Sequence, residues 1–294
     1  TSREVIMPAL EKGGLKAEED FFLCFSPERV DPGNKQFPVH RIPKIVGGLS
    51  ERSSSLAKML YGHVMKTVVE VSSIETAETV KLLENTFRLV NIALVNEFAL
   101  ICNKLGISVW EVIEGAKTKP FGFMPFYPGP GLGGHCIPCD PIYLSWKARK
   151  IGFRTKMIDL AAETNRAMPR YVVQRIGELL KKDSLKKVPV MLMGVTYKKD
   201  VKDLRESPAL DIIDILREEG AAVSYSDPLI PFIELDGINL KASKPTKKAL
   251  AAAAVVVIVT DHSDVDYEFI RRHARLVFDT RNVYKETFKN VVQL

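Results

Sequence analysis

Apolar and polar positions follow two different periods along this chain. Short apolar runs at 21–25, 42–46 and 67–71 read as strands, with helices expected at 3–12 and 50–66 between them. Strands alternating with helices predict a parallel sheet. From 73 to 105 there is no Pro or Gly, and apolar residues recur at helical spacing through Val80, Leu83, Phe87, Val90, Leu94 and Phe98. This predicts one long helix of about 48 Å, at ~1.5 Å per residue. Ser73 and Thr76 offer N-cap oxygens and Gly106 supplies a stop. Ser108 and Glu111, in capping-box spacing, open a short second helix. Helices at 142–151 and 159–182 come next, the latter expected to bend or break near Pro169. After a polar hinge at 181–187 the alternation resumes. Strands are expected at 188–193, 222–226, 255–260 and 276–279, with helices near 208–219, 246–253 and 267–274, giving a second α/β domain.

The length of 294 residues, 46% of them hydrophobic, suggests about two domains of roughly 100–200 residues each. The net charge of +6 comes from 42 basic and 36 acidic residues with no block of like charge, which argues against a nucleic-acid partner. The longest apolar run, 249–259, falls short of the roughly 20 residues that span a bilayer, so no membrane partner is expected. Four cysteines in a chain of this length point to a reducing cytoplasm. The start, Thr1-Ser2-Arg3-Glu4, lacks an initiator Met and reads as a piece of a longer chain.

Residues 118–141 hold six prolines and five glycines, too many breakers for a helix or a central strand. Within them Cys136-Ile-Pro-Cys139 has the spacing of a thiol redox pair, but such a pair normally follows a strand, and here it follows a glycine loop. A structural zinc site needs four ligands, and His135 with one cysteine pair leaves no second pair nearby, so no metal is expected. A nucleophilic thiol is the third reading. Glycines let backbone approach a ligand, and a cysteine at a helix N-terminus meets free N–H groups that favour its thiolate. An inert cysteine in a structural loop is the plain alternative. In the long helix Glu78, Lys81 and Asn85 project from one face, which would also suit a solvated face carrying an ordinary ion pair. Upstream, Ser26-Pro27-Glu28-Arg29 follows the first apolar run, and a carboxylate just past the end of a parallel strand lies where open α/β sheets bind ligands.

The phrases SPERVDPGN, ETVKLLENTFR, PFGFMPFYPGPGLGGHCIPCDP and GVTYKKDVKDLRESPALDI together make the chain resemble the UDP-glucose/GDP-mannose dehydrogenase family over essentially its whole length. The long phrase ahead of Cys136 is most similar to the branch that oxidises UDP-N-acetylhexosamines. The resemblance implies an α/β fold: a remnant of an N-terminal Rossmann domain at 1–71, a central all-helical dimerisation domain at 72–182, and a C-terminal Rossmann-like UDP-sugar domain at 183–294. It implies NAD as cofactor, a UDP-sugar as substrate and a homodimer or higher homo-oligomer through the central helix. No G-x-G-x-x-G follows an expected strand, so the family's cofactor fingerprint is expected to lie outside this chain and the chain to be inactive alone.

By this resemblance Cys136 attacks the aldehyde from a first oxidation, giving a thiohemiacetal and then a thioester. Lys81 and Asn85 supply donors to the developing oxyanion, while Asp140 and Glu28 handle water and protons. Tyr127, Gly129, Gly131, Gly133 and Gly134 shape the substrate loop, Tyr197, Lys198 and Arg281 contact the nucleotide sugar, and Arg205 reaches the NAD pyrophosphate. For Arg205 the residues alone also allow a local salt bridge with Asp203 or Glu206, and neither His135 nor Cys139 gains a role. The resemblance leaves UDP-glucose 6-dehydrogenase as a rival activity. A UDP-sugar-binding or dimerisation module without chemistry and a thiol–disulfide exchanger are the rivals from other classes.

Overall fold

The computed structural model describes residues 1–31, 33–34, 36–235 and 237–294, so Pro32 of the SPERVDPGN phrase lies outside the described residues. The chain packs as two compact units, Thr1–Thr86 and Phe87–Leu294.

In the first unit a π-helical turn, Ser2–Ile6, runs into α1 (Met7–Glu11). Then come β1 (Cys24–Phe25), β2 (Lys44–Gly48), α2 (Glu51–Gly62), β3 (Val68–Glu70) and the first turns of α3 (Ile74–Leu105). Strands β2 and β3 are parallel, with Ile45 opposite Val69, because helix α2 carries the chain back between them. Strand β1 corrects the sequence reading twice. It is two residues long rather than spanning 21–25, and it runs antiparallel to β2, with Cys24 opposite Gly48. Among the described residues the segment between them offers only a 3₁₀ turn at Val39–Arg41, too little for the crossover that a parallel partner needs.

The second unit continues α3 and adds α4 (Val109–Lys117), α5 (Cys136–Lys150) and α6 (Lys156–Leu180). Ser108 accepts from the Glu111 amide at the start of α4, as its spacing suggested. Helix α5 starts at Cys136 rather than near 142, and α6 passes Pro169 as one helix with the ring buried. A proline inside a helix removes one backbone bond, at a cost of about 3 kcal/mol, and here burial of the ring compensates.

Next come β4 (Pro189–Met193), α7 (Pro208–Glu218), β5 (Ala222–Ser226), β6 (Phe232–Leu235), β7 (Ile238–Lys241), α8 (Lys247–Ala252), β8 (Val255–Ile258), α9 (Tyr267–His273), β9 (Val277–Asp279) and β10 (Val291–Gln293). Five strands form a parallel sheet in the order β10-β9-β8-β4-β5, and β6 and β7 form a separate antiparallel hairpin. Interior strand β4, between β8 and β5, shows how the sheet is held. Val190 and Leu192 point into the core shared with Val172 and Ile176 of α6 and Ile212 and Leu216 of α7. Met191 and Met193 point the other way, onto Leu250 of α8 and Ile270 of α9. All four are at most 1% exposed, and each such side chain contributes about 1.5–3 kcal/mol on burial. Among the described residues no helix is long and apolar enough to cross a membrane.

Candidate functional site

The expected site residues fall in both units. In the first, Glu28 follows β1 in a loop pinned by its neighbours: the Ser26 hydroxyl donates to the Ile45 carbonyl, and Arg29 donates to Pro43 and, through Nε and Nη2, to Glu84 of α3. The exposed Glu28 carboxylate accepts from the Val30 amide at 2.8 Å and lies 3.5 Å from the Lys44 ammonium. Desolvation would raise its pKa, but those bonds and the Lys44 charge outweigh it, so Glu28 is held below the ordinary range and stays ionised. On α3 the Glu78 carboxylate takes the Thr1 ammonium and the Ser2 amide and hydroxyl. Asn85, two turns on, is 1% exposed, and Lys81 between them is half-buried.

In the second unit the glycine loop is assembled by contacts that leave no space for side chains. The Gly129 amide donates to Asn96 Oδ1 at 3.0 Å, Asn96 Nδ2 donates to Asn165 Oδ1 at 2.9 Å, and Asn165 Nδ2 donates to the Leu89 carbonyl. A Cβ on Gly129 would meet Arg281 Nη1 at 2.7 Å, and one on Gly133 would meet Tyr197 Cβ at 2.6 Å. Gly134 has φ +78°, and its amide donates to the Arg205 carbonyl at 3.0 Å. Gly131, with φ +143°, sits against Pro208 and Pro169. Tyr127 lies further up, its hydroxyl donating to Glu114 at 2.7 Å and its ring stacked on Trp110.

The loop delivers Cys136, half-buried, as the first residue of α5, with no side chain capping the helix start at His135. Asp140 follows one turn later on the same face. Cys139 is different: burial first, then the negative charges of Glu206 and Asp140, push its thiol pKa up. It lines a cavity of about 310 Å³ with Leu132, Arg166, Glu206 and Asp211. All four cysteines are unbridged.

Facing the loop are residues beyond the C-terminal ends of parallel strands, where such sheets place ligands. Tyr197 and Lys198 follow β4. Arg281 follows β9 in the turn Asp279-Thr-Arg-Asn282, where its Nε donates to the Val259 carbonyl at 2.7 Å and its amide donates to Asp279. Burial lowers the Arg281 pKa, with Asp261 and Asp279 opposing, and burial raises that of Asp279. Arg205 is exposed, and its guanidinium grips Asp203 at 2.7 Å, the local salt bridge that its neighbours allowed. The structure thus brings Gly129, Gly133, Gly134, Cys136, Tyr197 and Arg281 together, whereas Glu28, Lys81 and Asn85 belong to the first unit. Sequence reasoning missed Asn96 and Asn165, which sit unmarked among the apolar positions of their helices.

Among the described residues no group of His, Cys, Asp or Glu could hold a metal ion. A dinucleotide needs free N–H groups at a helix start behind a glycine turn. The turn from β2 into α2 has two glycines, but a Cβ on Gly47 would meet the Ser73 carbonyl at 2.2 Å and one on Gly48 the Ser54 amide at 2.4 Å. Ser50 caps α2, and both Ser50 and Ser53 bond the Glu18 carboxylate, which stands where a pyrophosphate would have to lie. That turn does not fit a dinucleotide.

Residues 75–167 match the central domain of the UDP-glucose/GDP-mannose dehydrogenase family, and residues 191–286 match its UDP binding domain. The chain is 35% identical to a UDP-N-acetyl-D-mannosamine dehydrogenase of Methanococcus maripaludis, over 90% of this chain and 62% of the relative. It is 40% identical to a UDP-N-acetyl-D-glucosamine 6-dehydrogenase of Pseudomonas aeruginosa, over 78% of this chain and 55% of the relative. A solved UDP-N-acetylmannosamine dehydrogenase from Pyrococcus horikoshii superposes with a TM-score of 0.83 at 32% identity, covering 99% of this chain and 68% of that one. The chain therefore spans a little under two thirds of the length of the curated relatives it matches, 62% for the first of them. Matches to both domains and a shared fold across this whole length agree: the chain belongs to the UDP-glucose/GDP-mannose dehydrogenase family.

Proposed function

We propose that this chain supplies the thiol and the UDP-sugar site of an NAD-dependent nucleotide-sugar 6-dehydrogenase that oxidises the C6 alcohol of a UDP-N-acetylhexosamine to the carboxylate. The observation that carries the reading is the glycine loop seated on Tyr197 and Arg281, which ends at Cys136 in the first turn of α5. The relatives' hexosamine substrates favour that sugar class over UDP-glucose. Residues 1–71 belong with the cofactor domain, 72–182 with a central dimerisation domain and 183–294 with the UDP-sugar domain.

Two oxidations require a nicotinamide acceptor, and the residues of this chain act between and after them. The Cys136 thiolate adds to the C6 aldehyde, forming the carbon–sulfur bond and sending the carbonyl pair to oxygen. Lys81 and Asn85 donate to that oxygen. Once the adduct has been oxidised to a thioester, water attacks the acyl carbon and the sulfur leaves as the thiolate. Asp140 and Glu28 orient the water, and an ionised Glu28 suits accepting its hydrogen bond. Lys198, Arg281, Tyr127 and the loop glycines hold the nucleotide sugar, and Arg205 would hold the pyrophosphate of the nicotinamide cofactor, which would supply the hydride acceptor. Leu94, Phe98, Ile101 and Leu105 form an exposed apolar stripe along α3, which supports a homodimer through that helix.

Calorimetric titration with UDP-N-acetylmannosamine, UDP-N-acetylglucosamine and UDP-glucose, then NAD, tests the reading. Saturable binding of an N-acetylhexosamine nucleotide ahead of UDP-glucose is expected. Tighter UDP-glucose binding would move the chain to the other branch, and no binding of any UDP compound would remove the substrate site. A turnover assay with NAD then separates an enzyme from a binding module.

A further inference from the structure

His262, four residues past the end of β8, is 1% exposed and has no part in the chemistry above. Its ring meets the loop that carries Tyr197 and Lys198 on both sides of those residues. The Asp200 amide donates to Nδ1 at 3.1 Å, so Nδ1 is the acceptor and the ring proton sits on Nε2. Nε2 lies 3.1 Å from Asp227 Oδ2 and 3.1 Å from Thr196 Oγ1, and Thr196 Oγ1 in turn donates to the Lys198 carbonyl at 2.9 Å. Asp227 is fully engaged, its Oδ2 also accepting from the Val195 amide and its Oδ1 from Leu229 and Ile230. The Thr260 hydroxyl donates to the Thr196 carbonyl at 2.6 Å, fixing the same stretch from the other side.

We propose that His262 is a positioning residue for the substrate: held by Asp227, it fixes the 196–200 loop so that Lys198 faces the nucleotide sugar and Tyr197 props the glycine loop that ends at Cys136. The proposal rests on the substrate roles given above to Tyr197 and Lys198. The physical case is one of rigidity. Tyr197 meets Gly133 and Gly134 so closely that any shift of the 196–200 loop displaces the chain just ahead of Cys136. Asp200 is anchored on its outer side by the Ser263 amide and hydroxyl, so the imidazole is the inner of two clamps on that residue.

Two substitutions separate positioning from simple stability. His262→Gln keeps an amide N–H near the Nε2 position for Asp227 but offers Asp200 no acceptor. His262→Asn places an acceptor near Nδ1 for Asp200 but leaves Asp227 short of a donor. With UDP as the probe in calorimetry, His262→Gln is expected to melt close to the parent chain and bind about tenfold more weakly, the worth of one hydrogen bond. His262→Asn is expected to melt lower yet bind within about twofold of the parent, within the scatter of one weak contact. Unchanged UDP affinity in His262→Gln, or equal losses in both variants, would overturn the proposal. Hydrogen exchange at residues 196–203 separates this from failure of the functional reading. Faster exchange in His262→Gln in a chain that binds no UDP keeps the clamp and removes the substrate role, whereas unchanged exchange removes the clamp itself.

Discussion

Arg29 holds Glu84 through two parallel bonds, Nη2 to Oε1 at 2.6 Å and Nε to Oε2 at 3.2 Å, and so ties the loop behind Glu28 to helix α3. The fork is partly exposed, which screens its charge, but its geometry is bidentate. Glu84→Gln is expected to lower stability by about 1 kcal/mol, read as a shift of the urea midpoint at constant slope. A changed slope would place the effect in the compactness of the unfolded state instead.

Thiol reactivity should single out Cys136. Cys24 is exposed, yet partial desolvation of its thiol raises its pKa, and burial with nearby carboxylates raises that of Cys139, so neither favours its thiolate at neutral pH. Iodoacetamide followed by peptide mass spectrometry is expected to label Cys136 ahead of both. In the complete enzyme Cys136→Ala should abolish acid formation, whereas Cys139→Ala should leave it within about threefold, since a thiol outside the chemistry contributes only packing.

Gly134→Ala should cost about 2–3 kcal/mol, because an added Cβ meets the Tyr197 ring at 2.8 Å on a backbone with φ +78°. Gly106 is the control: its φ is +70°, yet nothing lies within 4 Å of its Cβ position. Gly106→Ala therefore carries strain alone, about 1 kcal/mol. Equal melting shifts in the two variants would show that Tyr197 yields.

Asn96→Leu removes the acceptor of the Gly129 amide and the donor to Asn165, all buried. The orphaned groups should cost about 1–3 kcal/mol. If the loop is tied as described, UDP-sugar affinity falls with stability, while an affinity loss without a melting shift would indicate direct contact with the ligand.

Asp227 predicts how the fold meets acid. Burial opposes its ionisation, but the His262 bond and the Val195 and Leu229 amides outweigh burial and hold its pKa below the ordinary carboxylate range. A carboxylate depressed in the folded state contributes stability above its unfolded pKa, about 3.9, and loses it as pH falls through the folded value. Asp227→Asn is expected to flatten the part of the stability curve below about pH 4 and to lower stability at neutral pH by about 1–3 kcal/mol. A parallel curve would show that other carboxylates govern the acid limb.

What the sequence disclosed was whatever is local. Helix α3, the Ser73 and Ser108 caps and the inner strands follow from period and capping chemistry within a turn or two. The nucleophilic-thiol reading set Cys136 at a helix N-terminus, and α5 does begin there, whereas the density of prolines and glycines had put the body of the helix only from 142. A proline in a first turn lacks only an N–H that has no helical partner there, so Pro138 costs little. The β6–β7 hairpin went unread although Asp236-Gly237 is a hairpin dipeptide, since four-residue strands give too little alternation to count. The Asn96–Asn165 bond joins residues 69 apart, and the meeting of Arg281 with Gly129 is equally tertiary, so neither leaves a local trace.

The order of strands in the C-terminal sheet also sets a timetable for synthesis. Strand β4 lies inside the sheet between β5 and β8, and β8, with Val255 opposite Val190, is translated only after α7, β5, the hairpin and α8. Until β8 and α9 leave the ribosome, Met191 and Met193 lack much of the surface that covers them in the finished fold. An interior strand thus waits with one apolar face bare until a partner made much later covers it, and nascent chains paused before residue 255 are the ones expected to depend on chaperones.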